Sequence, residues 1–142
     1  MESTGILGGT FNPFHNGHMR LALEVKEALG LDRVLIMPCP DPPHKGKQGL
    51  LDFSLRVKLA HAALDGVQGL EVSTLEGTLP NPSYTWETLA QWRRLNHGNR
   101  PYFMMGAESF AALDKWYRGL ELPYIATIVM VPRDGEEDFL FR

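Results

Sequence analysis

His15 and His18 stand three residues apart in the stretch Gly8-Gly-Thr-Phe-Asn-Pro-Phe-His-Asn-Gly-His18. At that spacing two side chains project to one side of a first helical turn. Imidazole N–H groups are good donors to phosphate oxygens. An in-line displacement at phosphorus spreads charge over the non-bridging oxygens and the leaving group, and such donors stabilise that charge without a covalent intermediate. A bare His-x-x-His pair is equally half of a metal site. The residues around the pair decide between the two. Ile6-Leu7 reads as the end of a buried strand, and Gly8 and Gly9 follow it. Glycine there permits a positive φ or a close backbone approach to a ligand. Thr10, Asn12 and Pro13 are turn residues. A helix pattern begins near Gly17 and carries Leu21, Leu23, Val25 and Leu29, with Gly30 as its stop. A strand that runs through a glycine turn into a helix N-terminus offers unpaired N–H groups to a phosphate. The predicted chemistry is phosphoryl or nucleotidyl transfer.

The elements that must position this pair alternate along the chain. Thr4–Leu7 is the first predicted strand. Val34-Leu-Ile-Met37 is a continuous apolar run, as expected of a strand buried on both faces. Leu70–Thr74, Tyr102–Met105 and Ile125–Val131 complete the strand set. Between them, Asp52 is a candidate cap for a second helix with Leu55, Leu59, Ala62 and Ala63 on its inner stripe. Ser83 or Thr85 is a candidate cap for a third helix reaching about Leu95, and a short helix is expected from about Glu108 to Leu113. This alternation predicts an α/β fold: a Rossmann-like, doubly wound parallel sheet of about five strands, with helices on both faces. Such sheets bind ligands beyond the carboxyl ends of their strands, where strand order reverses. Five successive loops deliver polar or aromatic groups to that rim. His15 and His18 follow the first strand, His44 and Lys45 the second, and Thr85 the third. Glu108 and Trp116 follow the fourth, and Arg133 the fifth.

Several function classes are excluded or disfavoured. The chain has 142 residues, enough for one domain with a real core, and a net charge of -3 with no long basic run, which leaves no electrostatic footprint for nucleic acid. Cys39 is the only cysteine, so an internal disulfide and a thiolate zinc cluster are excluded. The N-terminus has no basic-then-apolar leader, and the longest apolar run, near Tyr124 to Val131, falls far short of the roughly 20 residues that span a membrane. A cytoplasmic protein without membrane or nucleic-acid partners is therefore expected. The usual phosphate loops are absent: Gly46-Lys47 is followed by Gln48 rather than Ser or Thr, and the first turn is not G-x-G-x-x-G.

On the substrate side, Pro42-Pro-His-Lys45 is a basic element on a stiff loop, suited to a phosphate monoester. Ser83-Tyr-Thr-Trp-Glu-Thr-Leu89 is a second helix start, suited to an anionic group. Trp116 offers a flat face to a pyridinium ring.

Gly8 to His18 resembles the signature of the nucleotidyltransferases with the His-x-Gly-His motif, and His15-Asn-Gly-His18 keeps that pattern intact. Within this superfamily the chain is similar to the bacterial nicotinate-nucleotide adenylyltransferases. Their Pro-Pro-His-Lys, Ser-Tyr-Thr and Trp-Tyr elements recur at 42–45, 83–85 and 116–117. The resemblance implies transfer of AMP from ATP to nicotinate mononucleotide, giving deamido-NAD and pyrophosphate. It implies His15 and His18 as catalytic donors, with Gly8, Gly9, Thr10, Phe11 and Gly106 joining them around ATP. It assigns the mononucleotide to His44, Lys45, Thr85, Glu108, Trp116, Tyr117 and Arg133. Within that set the Thr85 region and the Tyr117 backbone hold the nicotinate carboxylate, and Trp116 stacks on the ring. Mg²⁺ is implied as a cofactor carried mainly by ATP and water, with no metal ligand from the protein. The implied partners are ATP and nicotinate mononucleotide, with homo-oligomerisation left open.

Two departures stand out. Glu108 takes the place of an Asp in the Gly-Ala-Asp turn. The family's C-terminal Ile-Ser-Ser-Thr…Arg element, which holds the ATP phosphates, has no counterpart, so residues 1–142 are expected to form a single nucleotidyltransferase domain without that segment. The alternatives are an adenylyl- or cytidylyltransferase for another phosphate acceptor, such as a pantetheine or polyol phosphate, and a non-catalytic nucleotide-binding domain.

Overall fold

A computed structural model of the chain describes residues 2–40, 49–80 and 84–131. Five strands, β1 (Thr4–Gly9), β2 (Arg33–Pro38), β3 (Leu70–Val72), β4 (Tyr102–Gly106) and β5 (Thr127–Val131), form one sheet in the order β3-β2-β1-β4-β5. Every pairing is parallel. Strand order reverses between β1 and β4, so the switch point opens directly beyond Gly9. Four α-helices accompany the strands: α1 (Asn16–Leu29), α2 (Phe53–Leu64), α3 (Thr85–Leu95) and α4 (Ala107–Ala111).

The period of two along each strand sends neighbouring side chains to opposite faces. Leu7, Val34, Ile36, Met104 and Val129 meet Ala22 and Val25 of α1 and Ala60 and Leu64 of α2. Ile6, Leu35, Met37, Phe103 and Ile128 meet Leu89 and Trp92 of α3, together with Leu113 and Leu122. Two apolar layers on one sheet are what the continuous apolar runs require, and the doubly wound architecture expected from the sequence is the one observed.

Local differences have identifiable causes. The inner stripe of α2 is Arg56, Ala60 and Leu64, whereas Leu55 and Leu59 are 42% and 37% exposed and Ala62 also faces solvent. Only Ala63 of the expected stripe packs against the core. The helix is rotated by about one position, 100°, because the Arg56 guanidinium is drawn inward. Asp52 does sit at the N-cap position, but its carboxylate accepts from the Ser54 hydroxyl (2.6 Å) and caps no backbone N–H. The cap of α3 is Tyr84, which donates no side-chain cap; Thr85 is the first helical residue, and Ser83 lies outside the described residues. β3 stops at Val72 because Leu75–Thr78 winds into a 3-10 turn, and β5 starts only at Thr127 because Gly119–Tyr124 does the same. α4 begins at Ala107 and gives way to a 3-10 turn at Leu113–Lys115.

Candidate active site at the switch point

The turn after β1 is built around Phe11, not around the glycines. Neither Gly8 nor Gly9 takes a positive φ; both are still strand, and the left-handed residue is Phe11 (φ 49°). That conformation folds the Phe11 ring back over Gly9, where a Cβ would stand 3.1 Å from the ring. What favours glycine at 9 is thus close packing against the Phe11 ring rather than its φ. The ring is 5% exposed and meets Phe14 and His18 edge-on, at centroid distances of 5.4 and 5.0 Å. Phe14 stacks on His18 in turn (5.4 Å). Two phenylalanines therefore wall one side of the histidine pair.

The helix starts one residue before Gly17, and His15 is its N-cap. The His15 Nδ1 accepts from the Gly17 backbone N–H (3.0 Å), and the His18 Nδ1 accepts from the His15 backbone N–H (3.1 Å). This is a reciprocal capping box made from two imidazoles in place of a hydroxyl and a carboxylate. It alters the expected role of the helix N-terminus, since two of its backbone donors are taken up by the histidines themselves. It also assigns the neutral tautomers. With both Nδ1 atoms accepting, the ring protons sit on Nε2. The two rings are stacked 3.7 Å apart and 23° from parallel. His15 is exposed and His18 half-buried.

Two side chains hold this mouth together: Asn12, expected only as a turn residue, and Arg56, which the sequence does not single out. Asn12 donates to the Gly49 carbonyl and accepts from the Leu51 N–H, both at 2.8 Å, which ties the first turn to the segment leading into α2. Arg56 has no exposed surface and donates to four carbonyls: Thr10 (2.6 Å), Leu51 (2.8 Å), Cys39 (2.9 Å) and Pro40 (3.3 Å). Its guanidinium joins the ends of β1 and β2 to the start of α2. Burial lowers its pKa, but a guanidinium stays charged at neutral pH. Nothing in the residue types of α2 singles Arg56 out, since Lys58 stands two positions further along the same helix.

Across the switch point, Gly106 closes β4 and caps α4, and a Cβ there would meet nothing nearer than the Val131 carbonyl at 3.9 Å. Glu108, in the first turn of α4, is exposed. Trp116 is half-buried and packs on the second core layer, as Trp86 does. Tyr117 is 48% exposed and touches the Tyr84 ring (5.1 Å), while the Arg118 guanidinium lies 3.8 Å from the centre of the Trp86 ring. Thr85 therefore begins α3 between the two aromatic residues that receive the 116–118 segment. Glu76 sits beneath α3, and its Oε2 accepts from the Thr88 hydroxyl (2.9 Å). Its Oε1 is buried with no hydrogen-bond partner among the described residues. Burial raises the Glu76 pKa, while hydrogen bonds from Thr88 and Cys39 act in the other direction. His44, Lys45 and Arg133 lie outside the described residues.

Gly8, Gly9, Thr10, His15, His18, Cys39 and Gly106 thus share the carboxyl edge of the sheet, with Gly8 opposite Met37 and Gly9 opposite Pro38. The Thr85 and Trp116–Tyr117 elements meet one another to one side. A family model described as cytidylyltransferase-like matches residues 6–138, nearly the whole chain. The chain belongs to the cytidylyltransferase-like family. Among curated relatives, it is 38% identical over 133 residues to a protein of Pelobacter propionicus named "Probable nicotinate-nucleotide adenylyltransferase", covering 94% of this chain and 62% of that protein. It is 42% identical over 131 residues to a protein of the same name from Shewanella baltica, covering 92% of this chain and 60% of the relative. Among solved structures, the nicotinic acid mononucleotide adenylyltransferase of Plasmodium falciparum complexed with NaAD superposes with a TM-score of 0.79 at 16% identity, over 97% of this chain and 68% of that one. At that identity the likeness is one of fold. This cytidylyltransferase-like chain spans about 60% of the length of the curated relatives it matches. Among the described residues no group of three His, Cys, Asp or Glu side chains could hold a metal ion, and no helix is long and apolar enough to cross a membrane.

Proposed function

We propose that this chain carries the catalytic and acceptor-binding part of a nicotinate-nucleotide adenylyltransferase. One observation carries the reading: the histidine capping box just beyond β1, in which both Nδ1 atoms accept backbone N–H groups, so that Nε2 is the N–H donor of each neutral ring. The phosphate of nicotinate mononucleotide attacks the α-phosphorus of ATP. A new P–O bond forms to the acceptor phosphate, the bond from the α-phosphorus to the bridging oxygen breaks, and pyrophosphate leaves with that electron pair. His15 and His18 donate to the ATP phosphates and hold the charge that develops as the bond breaks. No side chain need act as nucleophile, since catalysis by positioning and electrostatics suffices.

The donor chemistry of this mouth, N–H groups rather than carboxylates, suits phosphate oxygens. Mg²⁺ would be held by ATP and water, where it neutralises triphosphate charge. The backbone of Gly8 to Phe11 and of Gly106 borders ATP. Trp116 stacks on the nicotinate ring, and the Thr85 and Tyr117 backbones take its carboxylate. Thr85 lies in the first turn of α3, whose N–H groups have no intrahelical acceptor. Glu108 stands at the ribose side. His44, Lys45 and Arg133 complete the acceptor site on family resemblance alone.

The test is pyrophosphate release from ATP and Mg²⁺, with nicotinate and nicotinamide mononucleotides compared side by side. The expected outcome is turnover favouring nicotinate mononucleotide. His18→Ala should lower kcat about 10²–10³-fold, the usual effect of removing one preorganised donor, and leave mononucleotide binding, read by quenching of Trp fluorescence, nearly unchanged. Undiminished turnover in His18→Ala would remove His18 from the mechanism. Failure of the parent chain to bind nicotinate mononucleotide would overturn the acceptor assignment.

A further inference from the structure

The segment that carries Trp116 and Tyr117 leaves its 3-10 turn and reverses at Arg118. Arg118 is one of three non-glycine residues in the left-handed region (φ 51°) among the described residues. The reversal is tight. The Gly119 N–H donates to the Trp116 carbonyl (3.0 Å), and a Cβ on Gly119 would strike the backbone oxygen of Leu113. Such a turn sends the Arg118 side chain back over the path the chain has just taken, and it comes to rest on α3. Its guanidinium stacks on Trp86, 3.8 Å from the ring centre. From the other edge, Nε donates to Glu121 Oε2 (2.9 Å) and Nη2 to Oε1 (3.0 Å). A planar guanidinium can present a face to a ring and an edge to a carboxylate at once, which an ammonium cannot. One residue away, Tyr117 meets Tyr84 across the same seam. Trp86 and Tyr84 flank Thr85, and Arg118 follows Trp116 and Tyr117.

We propose that Arg118 is a positioning residue for the acceptor: stacked on Trp86 and braced by Glu121, it sets the spacing between the first turn of α3 and the Trp116–Tyr117 segment. This deepens the adenylyltransferase reading, because both groups assigned to the nicotinate moiety lie on opposite sides of the seam it closes. Arg118 itself touches no substrate in this scheme. Its contribution is to hold two walls of a site at a fixed gap.

The test separates this role from a general attraction of a cation for an anionic ligand, and from the function assignment. In the ligand-free chain, hydrogen exchange is measured at the amides of Trp116 and Gly119, both of which are hydrogen-bonded within the turn. Arg118→Met and Trp86→Leu should each speed that exchange about two- to fivefold, the range for an exposed cation–π contact. The same variants should weaken nicotinate mononucleotide binding by a similar factor and raise KM with kcat nearly unchanged. The double variant should be no worse than the more affected single one, as for two partners of one contact. Arg118→Lys should recover only part of the loss. If exchange is unchanged in both single variants, there is no clasp and the proposal fails. If Trp86→Leu binds as the parent does while Arg118→Lys restores everything, charge alone matters and the proposal fails. If exchange rises but the parent chain binds no mononucleotide, the clasp is real, the acceptor role falls, and the adenylyltransferase reading falls with it.

Discussion

Replacing Arg56 by Met should cost this protein several kilocalories per mole, although Arg56 makes no ion pair among the described residues. The perturbation keeps an unbranched stem of similar reach and removes the guanidinium. Four backbone carbonyls, of Thr10, Cys39, Pro40 and Leu51, then lose their donor in a site with no exposed surface at Arg56. A hydrogen bond from a charged donor contributes about 1.5–3 kcal/mol, so the three bonds under 3 Å are worth about 4.5–9 kcal/mol together. Against this stands the desolvation of the guanidinium, several kcal/mol for a buried ion, which the substitution relieves. The net loss is about 2–4 kcal/mol. For a chain of 142 residues that corresponds to a fall in Tm of about 5–15 °C. Arg56→Lys should recover less than half, because one ammonium cannot span carbonyls from three segments. Thermal and urea unfolding followed by circular dichroism give the answer. A Tm for Arg56→Met within about 2 °C of the parent, at equal m-value, would refute the reasoning and mean that the carbonyls find other donors at little cost.

Two further outcomes follow from the region around α3. Burial holds the Glu76 carboxyl above the ordinary glutamate range, so the folded chain binds that proton more tightly than the unfolded chain does. The stability it contributes is complete below the unfolded pKa, about 4.3, and is lost as pH rises through the folded value. Glu76→Gln should therefore gain in Tm relative to the parent on going from about pH 4 to pH 7; a difference independent of pH would show that Glu76 ionises as easily folded as unfolded. Gly119→Ala places a methyl group against the Leu113 carbonyl oxygen and should lower Tm by about 5 °C or more while weakening mononucleotide binding. Unchanged unfolding and binding would mean that the turn at Arg118 relaxes freely.

The five strands, the four α-helices, their order along the chain and the parallel sheet were legible in the sequence, because apolar periodicity and glycine punctuation are local signals; the 3-10 turns at Leu75–Thr78, Leu113–Lys115 and Gly119–Tyr124 were not. β2 reads as Val34–Met37 from its composition alone, and it is buried on both faces as that run requires. The histidine pair was legible for the same reason: its spacing and the elements around it lie within one short stretch. Tertiary structure decided what the sequence could not. It turned α2 so that a charged residue faces inward, because the carbonyls that attract Arg56 come from β1, β2 and the start of α2, segments up to 46 positions away. It put the left-handed conformation on Phe11 rather than on a glycine, because packing over Gly9 outweighs the local cost. It spent two helix-terminal N–H groups on the Nδ1 atoms of the imidazoles and so left Nε2 as the protonated nitrogen of each neutral ring, a choice between hydrogen-bond partners that residue types alone leave open. It also brought Arg118 to Trp86 across 32 positions of chain, and no local pattern announces a contact whose partners meet only once the sheet has formed.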